Sequence, residues 1–69
     1  MKISARNVFS GQVTDVKTGP VNSQIKVDIG GGNVITSMIT TDAAADLSVA
    51  VGKEVKVIVK ASEIMLATD

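Results

Sequence analysis

The 69-residue chain has no cysteine, histidine, tryptophan or tyrosine, and only one phenylalanine and one proline. Without cysteine or histidine there is neither a disulfide framework nor a thiolate or imidazole metal site, so the usual staples of a small scaffold are missing. With Phe9 as the sole aromatic, the chain lacks the stacking platforms that single-stranded nucleic-acid-binding barrels present. An excess of one charge is absent too. Lys plus Arg and Asp plus Glu number 7 each, which leaves no net field to draw in nucleic acid or an anionic membrane. Long apolar runs are also missing, and Lys2, Ser4, Arg6 and Asn7 break up the first ten residues, so neither a membrane span nor a signal peptide is expected. The expected location is cytoplasmic, with no nucleic-acid and no membrane partner.

What the chain does have is β-branched bulk: 11 Val and 7 Ile against 2 Leu. Such side chains suit a pleated surface better than a helix, and the expected fold is all-β. A single domain over residues 1–69 of this size buries only ~60% of its unfolded surface, so oligomerisation is the expected staple.

Met1 to Asp15 alternates loosely, as a strand does, with Gly11 marking a bend or bulge. Lys17-Thr18-Gly19-Pro20 reads as a turn. Ile25, Val27 and Ile29 then alternate with Gln24, Lys26 and Asp28 in a second strand, and Gly30-Gly31-Gly32-Asn33 closes a hairpin. Val34 to Thr40 is apolar or hydroxylated on both parities, which predicts a third strand covered on both faces, with a neighbouring subunit as one cover. Thr41 or Asp42 is placed to cap a short helix through Ala43–Leu47. Val55, Val57 and Val59 alternate in a fourth strand, and Ile64, Met65 and Leu66 form a fifth. This is the element order of a five-stranded OB-like barrel with one short helix between strands 3 and 4.

Two donor-rich clusters stand out. Ser4 and Arg6 fall on one face of the first strand, about 7 Å apart. Lys60, Ala61 and Ser62 offer an ammonium, a backbone amide and a hydroxyl at the end of the fourth strand. A tetrahedral dianion only accepts hydrogen bonds, so a site for it needs N–H and O–H donors and no carboxylate. On pattern alone, Ser4 and Arg6 also fit a solvated face, and Lys60 fits a lysine guarding a sheet edge. The triple glycine lacks the sequence of a phosphate loop and reads as a turn. Asp42 and Asp46 read as a cap and a solvated charge rather than cation ligands, and Met38 and Met65 as core fillers. Ser62 beside Lys60 is a nominal nucleophile and base, but no oxyanion hole or third group accompanies them, and an enzyme is not expected.

Ile3-Ser4-Ala5-Arg6-Asn7, Ile39-Thr40, Val51-Gly52-Lys53-Glu54-Val55 and Val59-Lys60-Ala61-Ser62, at these spacings across essentially the whole chain, resemble the molbindins (Mop domains). The resemblance implies binding of molybdate or tungstate, with no organic cofactor, for storage. It also implies OB-like subunits that swap a strand into dimers, three of which form a homohexamer, a trimer of dimers. One class of family site lies at dimer interfaces and falls here on Ser4, Ala5, Arg6, Thr40, Lys60, Ala61 and Ser62. A second class lies near threefold axes and falls on the turn at Gly19, Val21 and Asn22; Pro20, between them, has no N–H to give. The rival readings are a structural oligomerisation module and an OB-type nucleic-acid-binding domain.

Overall fold

In a computed structural model describing residues 1–69, the period-2 segments become the strands β1 (Asn7–Thr18), β2 (Asn22–Gly30), β3 (Asn33–Thr40) and β4 (Glu54–Val59). They form one antiparallel sheet in the order β3-β2-β1-β4, and a six-residue helix, α1 (Thr41–Asp46), lies between β3 and β4. β1 is long enough to serve two partners. Asn7–Gln12 pairs with β4, and Gln12–Thr18 pairs with β2 across a bulge at Thr14. A bulge bends its strand and increases the local twist, so the sheet coils as the barrel reading requires. The bulge lies three residues beyond Gly11. Gly11 serves the bend differently: a Cβ there would stand 2.5 Å from Val27 Cγ1 and 2.8 Å from the Asp28 carbonyl oxygen. Only a bare Cα lets β1 pass so close to β2.

The β2–β3 hairpin turns at Gly31 and Gly32, both at positive φ (63° and 79°). Positive φ at both central residues is the turn whose twist matches the flanking strands, and glycine adopts it without a Cβ clash. The Gly30 amide also donates to Asp28 Oδ1 at 2.8 Å.

Val13, Ile25 and Val27 form the buried core, flanked by Val16, Ile29, Ile39, Val49, Val55 and Val57. The alternation expected of β2 and β4 therefore points the right residues inward. Within the chain β3 is covered on one face only. Ile35, Ser37 and Ile39 are half-buried, whereas Val34, Thr36 and Met38 are exposed. It is an edge strand, and nothing in this chain lies over its outer face. Met38 and Met65 are likewise not core fillers, being 69% and 92% exposed.

The expected fifth strand does not form within the chain. A 3-10 turn at Ala61–Glu63 follows β4, with Glu63 N–H donating to the Lys60 carbonyl at 2.9 Å. That turn carries the backbone off the β4 line, leaving Ile64, Met65 and Leu66 unpaired and exposed. The N-terminal strand is also shorter than its alternation suggests, since residues 1–6 precede β1 outside the sheet.

Thr40, one residue earlier than expected, caps α1 by accepting from the Ala43 amide at 3.0 Å. The Thr41 hydroxyl is committed elsewhere. It donates to the Gly19 carbonyl at 2.7 Å and so can only accept from the Ser23 hydroxyl, 2.9 Å away and almost fully buried. Thr41→Val would strand Ser23 without an acceptor, and an unsatisfied buried polar group costs about 1–3 kcal/mol. The expected result is a fall of that size in unfolding free energy at fixed protein concentration. No change would mean that the hydroxyl chain does not hold helix to turn.

At its other end α1 closes with two bonds, Val49 N–H to the Ala44 carbonyl and Ser48 N–H to the Ala45 carbonyl. This is a Schellman cap, which places Ser48 in the left-handed region (φ 54°) usually filled by glycine. Lys53 Nζ donates to the Leu47 carbonyl at the same end. Since a left-handed non-glycine residue costs about 1–2 kcal/mol and glycine adds unfolded-state entropy, Ser48→Gly should stabilise the fold by roughly 0.5–1 kcal/mol. Thermal unfolding at matched concentration checks this, and a lowered midpoint would contradict it.

For 7.1 kDa a folded monomer exposes about 4,100 Å², whereas this chain exposes 5374 Å². The surplus, roughly 1,300 Å², exceeds the area each partner contributes to a standard stable interface.

Candidate oxyanion site

β1 and β4 pair from Gln12–Glu54 outward to Asn7–Val59, where the ladder stops. Continued by one, two and three rungs, the same register would set Arg6 against Lys60, Ala5 against Ala61 and Ser4 against Ser62. Like charges placed directly opposite destabilise a ladder, which disfavours the first missing rung. The two segments part there, one as the stretch before β1 and the other as the 3-10 turn after β4. Asn7 braces the last closed rung, its side-chain Nδ2 donating to the Val59 carbonyl at 3.3 Å.

Between the parted segments lies a cleft of about 560 Å³ lined by Ile3, Ser4, Ala5, Arg6, Ile58, Lys60, Ala61 and Ser62. Six of the seven residues expected at a dimer-interface site are therefore brought together by one chain. No carboxylate lines the cleft, although Glu63 is next in sequence. Neither the Arg6 guanidinium nor the Lys60 ammonium donates to any group of the chain, and the Ser4 and Ser62 hydroxyls are equally free. The cleft thus holds two cations and two hydroxyls with no acceptor of their own, a donor set for which a tetrahedral dianion is the matching acceptor.

Thr40 is not among these residues. It ends β3, at the opposite edge of the sheet from β4, where its hydroxyl caps α1. Ile3 and Ile58 line the cleft but were not expected. The available signal for Ile58 was parity, since it lies two residues before Lys60 and faces the same side of the strand.

The second cluster lies at the β1–β2 connection, with Gly19 and Val21 in the turn and Asn22 opening β2. Gly19 N–H donates to the Asn22 carbonyl at 3.0 Å, and the Val21 carbonyl accepts from Thr41 N–H at 2.8 Å. These bonds hold the turn against α1 and occupy the Gly19 amide. Val21 is 69% exposed, which leaves its amide and the Asn22 side chain as the donors at this corner.

A family model described as the TOBE domain matches residues 3–66. Over all 69 residues, and all of the relative, the chain is 44% identical to a probable molybdenum-pterin-binding protein of Haemophilus influenzae. The chain belongs to the molbindin family. Among solved structures this molbindin is similar to MopII from Clostridium pasteurianum, with a TM-score of 0.91 and 39% identity over 97% of this chain and 100% of that one. It is also similar to ModG, described as a cytoplasmic molybdate-binding protein and solved with molybdate bound (TM-score 0.84, 41% identity), covering 96% of this chain and 53% of that one. Both likenesses support the all-β, OB-like fold of the molbindin chain, including its four-stranded sheet and single short helix.

Proposed function

We propose that this molbindin binds molybdate, or tungstate as its close analogue, and acts as a cytoplasmic store of the oxyanion rather than as an enzyme. The single observation that carries the reading is the unclosed rung, with Arg6 and Lys60 facing a common cleft whose lining has hydroxyls and amides but no carboxylate. A dianion between them removes their mutual repulsion and completes the pairing that the ladder leaves open. In this reading Arg6 and Lys60 supply charge, Ser4 and Ser62 hydroxyl donors, and Ala5 and Ala61 backbone amides.

The chain forms a homohexamer, a trimer of strand-swapped dimers, and its anions lie at the interfaces. The surplus exposed surface and the unpaired Ile64-Met65-Leu66 segment support assembly. Thr40, remote from the cleft within one chain, enters the dimer-interface site from the partner. At the threefold axis the Val21 amide and the Asn22 side chain serve in three copies beside Gly19, so that weak donor sets converge. The names of the relatives support the choice of anion.

Isothermal titration of anion-free protein with molybdate, tungstate, sulfate and phosphate, with mass measured in the same buffer, tests the reading. Saturable binding of the two larger oxyanions by a hexamer is the expected result. No heat with any of the four would overturn it.

A further inference from the structure

The donors account for only part of the cleft wall. The rest is Ile3, from the segment before β1, and Ile58, from β4, which are 46% and 42% exposed in the chain. Ile58 sits two residues before Lys60, on the same side of the strand: its register partner is Val8, and both are exposed and apolar. An anion held by Arg6 and Lys60 therefore has branched hydrocarbon on one flank, which removes water and offers no hydrogen bond in return.

We propose that Ile58 and Ile3 form an apolar wall that selects the larger tetrahedral oxyanion against sulfate. This inference rests on the oxyanion reading above. The two kinds of dianion carry the same charge and the same tetrahedral arrangement of acceptors, so the shared donors distinguish them poorly. They differ in size. The cost of leaving an ion's flank unsolvated grows as its radius shrinks, because the field at a smaller ion's surface is stronger. Sulfate, with its shorter bonds to oxygen, loses more at the wall than molybdate does, and discrimination follows without any donor specific to molybdenum.

The test is competition calorimetry of molybdate against sulfate on the assembled protein, with particle mass recorded. Ile58→Thr places a hydroxyl donor in the wall and should lower the molybdate-to-sulfate affinity ratio about tenfold or more. Ile58→Val keeps the wall apolar and should leave the ratio within about twofold of the unaltered protein. Ile3→Thr lies outside the sheet, cannot disturb the ladder, and should lower the ratio in the same direction, so a misassembled Ile58 variant does not remove the test. Ratios unchanged in every threonine variant that assembles would overturn the wall. Failure of the unaltered protein to bind either anion would overturn the oxyanion reading itself, and it would be seen before any substitution is made.

Discussion

Arg6→Ala should lower molybdate affinity by about 10²–10³-fold while leaving the assembly intact. Arg6 is exposed and precedes β1, and its side chain makes no hydrogen bond to the rest of the chain, so its removal takes nothing from the sheet. In the proposed bound state it would contribute hydrogen bonds between two ionised groups. Bonds to charged groups contribute about 1.5–3 kcal/mol each, and every 1.4 kcal/mol is a factor of ten in affinity. A guanidinium grips an oxyanion with two such bonds in a fixed fork. Arg6→Lys should therefore fall between the two proteins, restoring charge without the fork, and Lys60→Ala should cost less than Arg6→Ala because an ammonium acts as a point charge. Titration of each variant against the parent measures this. Parental affinity in an assembled Arg6→Ala protein would remove the guanidinium from the site.

The second large effect falls on stability. In Gly11→Ala the new methyl group would stand 2.5 Å from Val27 Cγ1, 2.8 Å from the Asp28 carbonyl oxygen and 3.2 Å from Ile29 Cγ2. Val27 is one of the three residues at the centre of the core, and the Asp28 oxygen is backbone, so neither can swing aside as a long side chain would. Overpacking of this kind costs typically 1–3 kcal/mol, and a site bounded by backbone belongs at the upper end. For a domain of this length each kcal/mol moves the midpoint by about 4–8 °C, so a loss of roughly 10–20 °C is expected. Concentration must be held fixed, because assembly and folding are linked. A drop of only a degree or two would mean that β1 can ride outward over β2 at no cost.

Much of this architecture was legible in the residues because the pleat imposes its own period. Ile25, Val27 and Ile29 in β2, and Val55 and Val57 in β4, alternate strictly and form or flank the core. The glycine hairpin was readable for a similar reason, since positive φ at two successive positions narrows the choice of residue. The segments left open are those whose surroundings are not in the chain. Ile64, Met65 and Leu66 and the outer face of β3 are apolar enough for burial, yet no element of the same chain reaches them. Hydrophobicity records that a residue is to be covered, not by what. The helix cap shifted by one residue because Thr40 and Thr41 both carry hydroxyls, and only tertiary contact gave Thr41 to Gly19 and Ser23. As for the candidate site, its donors were recognisable by type, but their meeting in one cleft beyond the end of the β1–β4 ladder, and the two isoleucines that line it, needed the fold.

A ladder that ends at Asn7–Val59 has a loose end, and loose ends fray. The amides of the terminal rungs open most often, and their exchange with solvent deuterons reports that opening. In the proposed site, an anion seated between Arg6 and Lys60 would act as one more rung placed beyond the last hydrogen-bonded one, so its binding energy would oppose every opening that starts from this end. Protection gained at the site then reaches inward, through Val8 and Ile58 towards Phe9 and Val57, before it fades in the middle of the sheet. Loading with anion would be written along the strand as a gradient of slowed exchange, steepest at the seam and absent from the distant β2–β3 hairpin.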